Sequence, residues 1–231
     1  MTTSDRLGVV RARIEKAARA AGRSPDEVTL IGVTKTVPPG LIRPLVEAGL
    51  RHIGENRVQE AASKVQALAA LAPRPQWHLI GHLQSNKTTR AVALFDWVHS
   101  IDGEELARKL DRAAGARGAK INVLIQVDLG HEATKYGAEA EEVAALAPTI
   151  AALPNLALRG LMTIPPLSRN PEGSRPFFER LRALRDEVAA GGPPLPELSM
   201  GMSFDLEVAV EEGATMVRVG RALFGERPAV G

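Results

Sequence analysis

Short apolar runs and longer amphipathic stretches take turns along this chain, and that alternation is its strongest structural signal. Val28 to Val33 is mostly apolar or β-branched, which predicts a buried strand of the parallel type. Pro38-Pro39-Gly40 stops it soon afterwards. Ahead of it, Leu7, Val10, Ile14, Ala17 and Ala18 fall at helical spacing and predict a helix over residues 4–21, ended by Gly22. Behind it, Leu41, Ile42, Leu45 and Val46 mark a helix ending at Gly49, Arg51 to Gly54 a second strand, and Val58 to Leu71 another helix.

The same rhythm continues to the far end. Strands are predicted at Trp77–Gly81, Asp96–Ile101, Ile121–Val127, Leu156–Met162, Leu198–Met200 and Thr215–Val219. Helices fall between them: one through Ala91 and Leu94, then residues 103–114, 139–153, 176–190 and 205–212. Pro148 should kink or break the helix over residues 139–153. Eight strand–helix alternations predict an α/β fold, a (β/α)8 TIM barrel with an extra N-terminal helix, occupying residues 1–231 as one domain. A doubly wound sheet of Rossmann type is the alternative, but the Gly-x-Gly-x-x-Gly turn after the first strand is absent.

Composition narrows the function classes. With 231 residues, 45% of them hydrophobic, the chain can bury a sizeable core. Its 29 basic and 27 acidic side chains nearly cancel, which leaves no electrostatic footprint for nucleic acid despite a pI of about 9.1. Lack of cysteine excludes disulfides and thiolate metal sites. Residues 1–22 show no apolar core of signal-peptide type and no stretch reaches membrane-spanning length, so a cytoplasmic location is expected.

In a barrel the carboxyl ends of the strands converge on one face. Here those ends carry Lys35, Glu55-Asn56, Gly81-His82, Asp102, Asp128, Thr163-Ile164, Ser199 to Ser203, and Arg218 to Arg221. A lysine desolvated at an apolar rim exposes a neutral amine that can attack an aldehyde; the competing reading is a side chain snorkelling into solvent. After the last two strands come two glycine-bearing turns, Ser199-Met200-Gly201-Met202-Ser203 and Arg218-Val219-Gly220-Arg221. Barrel enzymes often bind phosphate there, and backbone N–H groups of Gly220 and Arg221 with the Ser203 hydroxyl would suit a dianion; the alternative makes Ser203 only a helix N-cap. The pair His78 and His82 spans a strand end and lacks a zincin glutamate, so it reads as structural, as do His52 and His99 beside their strands.

A strand-end lysine together with a phosphate cradle is what pyridoxal 5′-phosphate (PLP) requires. Six blocks in order carry a resemblance: Val33-Thr34-Lys35-Thr36, Gly54 to Glu60, His78 to Lys87, Gly160-Leu161-Met162, Ser199 to Asp205, and Arg218 to Gly225. In these the chain resembles the pyridoxal phosphate homeostasis proteins (YggS/PROSC type), from about Leu7 to Arg227. The resemblance implies a barrel like the N-terminal domain of alanine racemase, with PLP held by Lys35 as an internal aldimine. It implies that Ser203 and the Gly220 and Arg221 backbone hold the phosphate, with Ser199 nearby, and that Arg218 faces the pyridine nitrogen. Asn56 and Ile164 would line the ring, and Lys135 would be an auxiliary loop lysine. Arg221 stands where a small hydroxyl residue is frequent in the family, and His82 where proline is usual.

A cation at the ring nitrogen disfavours the pyridinium and weakens the cofactor as an electron sink, and a racemase needs a second base across the substrate carbon. The one tyrosine, Tyr136, is not an obvious substitute. The expectation is therefore a monomeric PLP carrier acting in PLP homeostasis, with delivery of the cofactor to apoenzymes as a further role. A weak amino-acid racemase is the alternative.

Overall fold

The computed structural model describes residues 3–130 and 136–225. Helix α1 (Thr3–Ala20) comes first and buries Leu7, Val10, Ile14, Ala17 and Ala18, the predicted stripe. Strand β1 (Thr29–Val33) follows, then α2 (Pro39–Glu47), β2 (His52–Glu55), α3 (Val58–Ala67), β3 (Gln76–Leu79), α4 (Thr88–Val92), β4 (Trp97–Ile101), α5 (Glu104–Gly115) and β5 (Ile121–Asp128). Next are a two-residue strand β6 (Ala138–Glu139), α6 (Ala140–Ala151), β7 (Leu156–Met162), α7 (Arg175–Gly191), β8 (Glu197–Met202), α8 (Leu206–Glu211), β9 (Met216–Val219) and α9 (Arg221–Phe224).

Apart from β6, which only extends the end of β5, the strands run in parallel in the order β4-β3-β2-β1-β9-β8-β7-β5. Pairing of β4 with β5 closes the ring, so eight strands form a barrel with helices around it. The predicted fold is the observed one. Helix α6 runs through Pro148 without a break, since the proline stands one turn from the helix end and its own carbonyl still accepts from Ala152 N–H.

Most of the core lies between the strands and the helices, with Ile53, Trp77, Leu79, Val98, Val123, Ile125, Leu161, Leu198, Val217 and Val219 pointing outward into it. Because side chains alternate along a strand, their neighbours point into the barrel lumen. There Ile31, Leu124, Met162 and Met216 make a separate small apolar cluster. The same alternation sends His78, His99, Ser199 and Arg218 inward, all of them buried.

Candidate functional site

At the carboxyl end of β1 the chain leaves the sheet through a turn closed by Val37 N–H donating to the Thr34 carbonyl. Thr36 in this turn has φ of 62°, a left-handed conformation that a β-branched residue rarely adopts. A buried clamp holds it. The Lys64 ammonium, on α3, donates to the Thr34 carbonyl, to Glu55 Oε1 at 2.6 Å and to Glu60 Oε1 at 2.6 Å. Glu60 in turn accepts the Thr36 N–H, and Thr34 Oγ1 donates to Glu55. Burial pushes the Glu55 carboxyl up, against the hydrogen bonds from Lys64 and Thr34; its second oxygen has no partner among the described residues. Burial also opposes ionisation of Glu60, but the bonds from Lys64 and Thr36 outweigh it and hold that carboxyl below its ordinary value.

Lys35 itself is exposed. The expectation that the barrel rim would desolvate it is corrected here. Strand β1 ends at Val33, so Lys35 stands two residues beyond it, in the turn and outside the apolar wall.

In the barrel wall, β9 pairs with β1, with Ile31 opposite Arg218 and Gly32 opposite Val219. This register brings the end of β9 next to the Lys35 turn. Gly220 N–H and Ala222 N–H both donate to Ser203 Oγ, at 3.3 and 3.2 Å. Ser203 is therefore not the N-cap of α8. That position belongs to Asp205, whose Oδ1 accepts Met202 N–H at 2.7 Å. Gly201, just before Met202, has φ of 87°, and a Cβ there would lie 2.3 Å from the Ala209 Cβ, so only glycine fits this turn. Arg221, exposed, opens α9.

Arg218 lies in the lumen and is 3% exposed. It donates to Ser199 Oγ at 2.7 Å and to the Thr163 carbonyl at 2.8 Å. Burial lowers its pKa to about 10, which leaves it cationic at neutral pH, and Asp205 pulls the other way at longer range. No ion pair to Arg218 exists among the described residues. A buried guanidinium with only neutral partners retains N–H capacity and charge for a further acceptor.

A cavity of about 240 Å³ opens at the same end, lined by Asn56, Ile80, Gly81, His82, Gln126, Val127, Asp128, Tyr136 and Ile164. Gly81 shapes it, because a Cβ there would meet the Asn56 carbonyl oxygen at 2.5 Å. The His82 and Tyr136 rings stack with centroids 3.6 Å apart at 12°, and His82 Nδ1 lies 3.6 Å from Asp102 Oδ2. Burial raises the Asp102 carboxyl, with the His82 charge pulling it down. Asn56 and Ile164 thus line one cavity, Ser199 with Arg218 and Ser203 with Gly220 are in direct contact, and Lys35 does not line this cavity. Lys135 lies outside the described residues. His82 is expected at this rim as a strand end, but its stacking on Tyr136 is not, and nothing in the sequence singles out the Lys64 clamp; barrel geometry assembles both. Among the described residues no group of acidic or histidine side chains could hold a metal ion, and no helix is long and apolar enough to cross a membrane.

A parallel barrel with a lysine after its first strand, a buried arginine in its last and a serine–glycine turn beside it defines a class: barrels of the alanine racemase type. The family model of the alanine racemase N-terminal domain matches residues 6–228. The pyridoxal phosphate homeostasis protein of Aquifex aeolicus is 46% identical over 228 residues, covering 98% of this chain and 99% of that one. The protein of the same name from Escherichia coli K12 is 42% identical, covering 96% and 95%. This chain belongs to the pyridoxal phosphate homeostasis proteins, within the alanine racemase N-terminal domain family. PipY of Synechococcus elongatus, solved with PLP bound, superposes with a TM-score of 0.86 at 41% identity, over 97% of this chain and all of that one. A Clostridium difficile alanine racemase shares the fold alone, with TM-score 0.75 at 17% identity, and this chain covers 58% of it.

Proposed function

We propose that this chain is a single PLP-binding domain that holds the cofactor at the carboxyl end of its barrel and serves intracellular PLP homeostasis. The observation that carries the reading is Arg218: a buried cation with neutral partners, beside a turn where a hydroxyl and two backbone N–H groups converge. The site's chemistry fits the group. Ser203 with the Gly220 and Arg221 backbone would take the phosphate, Arg218 the ring nitrogen, Asn56 and Ile164 the ring faces, and the Lys35 amine the aldehyde carbon. Ser199 acts through Arg218, which it touches, and Lys135 is an auxiliary amine. PLP supplies an aldehyde that bonds covalently to an amine.

The chain's own residues favour holding over turnover. A guanidinium opposite the ring nitrogen keeps a proton off it, which withholds most of the electron-sink power that amino-acid chemistry needs. The relatives' names agree, being those of homeostasis proteins rather than enzymes. The protein would act as a cytoplasmic monomer that limits free aldehyde and delivers the cofactor to apoenzymes. Exposure of Lys35 suits delivery, since an amine at the rim is within reach of solvent and of an acceptor.

Arg218→Glu tests the reading. It should shift the visible-edge absorption of the bound cofactor and raise amino-acid side reactions; an unchanged spectrum and unchanged side reactions would remove Arg218 from the ring. The alternative, a weak amino-acid racemase, predicts turnover of D- and L-alanine well above that of free PLP, and that result would displace the carrier reading.

A further inference from the structure

Barrel lumens are ordinarily filled by layers of apolar side chains. This one carries a file of polar groups beside its small apolar cluster. Arg218 Nη1 donates to Ser199 Oγ at 2.7 Å, Ser199 Oγ lies 3.0 Å from His99 Nδ1, His99 Nε2 lies 2.9 Å from His78 Nδ1, and His78 Nε2 lies 3.0 Å from His52 Nδ1. Ser199, His99 and His78 are fully buried, whereas His52 is half-buried. His52 lines a second cavity, of about 410 Å³, at the opposite end of the barrel. Burial holds His78 and His99 well below their ordinary pKa and lowers that of His52, so the three imidazoles are neutral at physiological pH.

The file has only one proton order that satisfies every member. A guanidinium can only donate, so Ser199 Oγ accepts from Arg218 and its single proton goes to His99 Nδ1. His99 must then carry its own proton on Nε2 and give it to His78 Nδ1. His78 likewise donates through Nε2 to His52 Nδ1. In the reverse order Ser199 would accept twice, leaving its buried hydroxyl proton without an acceptor among the described residues, at the usual cost of an unmade bond. The reverse order would also turn the positive end of each ring toward the Arg218 cation.

We propose that His52, His78 and His99 are positioning residues: through Ser199 they fix the direction of the hydroxyl that seats Arg218, and so fix how Arg218 is presented to the cofactor's ring nitrogen. A hydroxyl that donates to an imidazole is a stronger acceptor for the next donor, so each link stiffens the one before it. The file makes the cation's seat rigid without a carboxylate, which would cancel the charge meant for the ring. The second half of the inference rests on the PLP reading given above; the proton order does not.

The test therefore has two arms. In the wild-type protein without cofactor, at pH 8, long-range ¹⁵N–¹H correlation of the histidine rings should show His52, His78 and His99 all protonated on Nε2. A proton on Nδ1 of any of the three overturns the order. In the second arm, Ser199→Ala and His99→Leu should shift the visible-edge absorption of bound PLP and speed its release about tenfold, the size expected for one hydrogen bond to a charged group. His99→Asn has the shape of the leucine variant but places an amide oxygen near the former Nδ1, and should restore the wild-type spectrum and release rate. Identical spectra and release rates in wild type, Ser199→Ala and His99→Leu would overturn the positioning role even with the tautomers as predicted. If the wild-type protein shows no cofactor band after gel filtration with PLP, the PLP reading fails by itself, and the tautomer arm still decides the file.

Discussion

Lys64→Met removes the ammonium from the clamp beneath the Lys35 turn while keeping a side chain of similar length. Lys64 is 4% exposed and Glu55 not at all, and the ammonium serves three oxygens at once. Breaking a buried ion pair from one side costs about 3–5 kcal/mol, because the other charge is left uncompensated. Glu55 can limit its share by taking a proton. At pH 7 that costs about 3.4 kcal/mol, the free energy of protonating a carboxyl of ordinary pKa 4.5. At pH 5 the same step costs only about 0.7 kcal/mol. In the variant the folded-state pKa of Glu55 lies above the unfolded value, so its stabilising effect is complete at low pH and is lost as pH rises. Urea denaturation of wild type and variant at pH 7 and pH 5 should give a difference of about 3–4 kcal/mol at pH 7 that shrinks by more than half at pH 5. Lys64→Met with Glu55→Gln should recover most of the loss at pH 7. A difference below about 1 kcal/mol at pH 7, or one equally large at both pH values, would refute the claim that Glu55 is a buried charge held ionised by Lys64.

Two further outcomes are expected. His78 and His99 titrate in the unfolded chain near 6.5 but well below that in the fold, so their stabilising effect is present above 6.5 and lost as pH falls toward the folded values; two such groups remove about 2.5 kcal/mol between pH 7 and pH 5.5, and His99→Asn should roughly halve that loss in urea titrations. Ser203→Ala deletes the hydroxyl on which Gly220 and Ala222 converge, and should weaken PLP binding by about tenfold while leaving pyridoxal, which has no phosphate, unaffected in a competition assay.

The barrel was legible because each strand is a short apolar run bounded by turn residues, from Leu30-Ile31-Gly32-Val33 to Met216-Val217-Arg218-Val219, with an amphipathic helix after each. The rim residues followed from topology, since strand ends converge wherever they lie in sequence. What escaped the sequence depends on closure and register. His52, His78 and His99 come from three strands and reach Ser199, 100 positions beyond His99, only once the sheet has closed. Lys64 sits on a helix among polar neighbours and looks like an ordinary surface charge until α3 packs over the end of β2. Ser203 has the spacing of a helix cap, yet Asp205 takes the N-cap position of α8 and the Ser203 hydroxyl accepts from the turn after the next strand. Lys35 misled in the other direction. A strand-end lysine was expected to be desolvated, but the strand stops two residues earlier and the left-handed Thr36 turns the chain at the rim.

The central claim is that Lys35 tethers PLP at this rim, and the absorption spectrum of the protein with PLP, wild type against Lys35→Ala, tests it most directly. Wild type should show a band near the visible edge that survives gel filtration and disappears on borohydride reduction. Lys35→Ala should lack that band and lose its PLP on the column. A band of undiminished intensity in Lys35→Ala, equally stable to gel filtration, would contradict the assignment of the tether to Lys35.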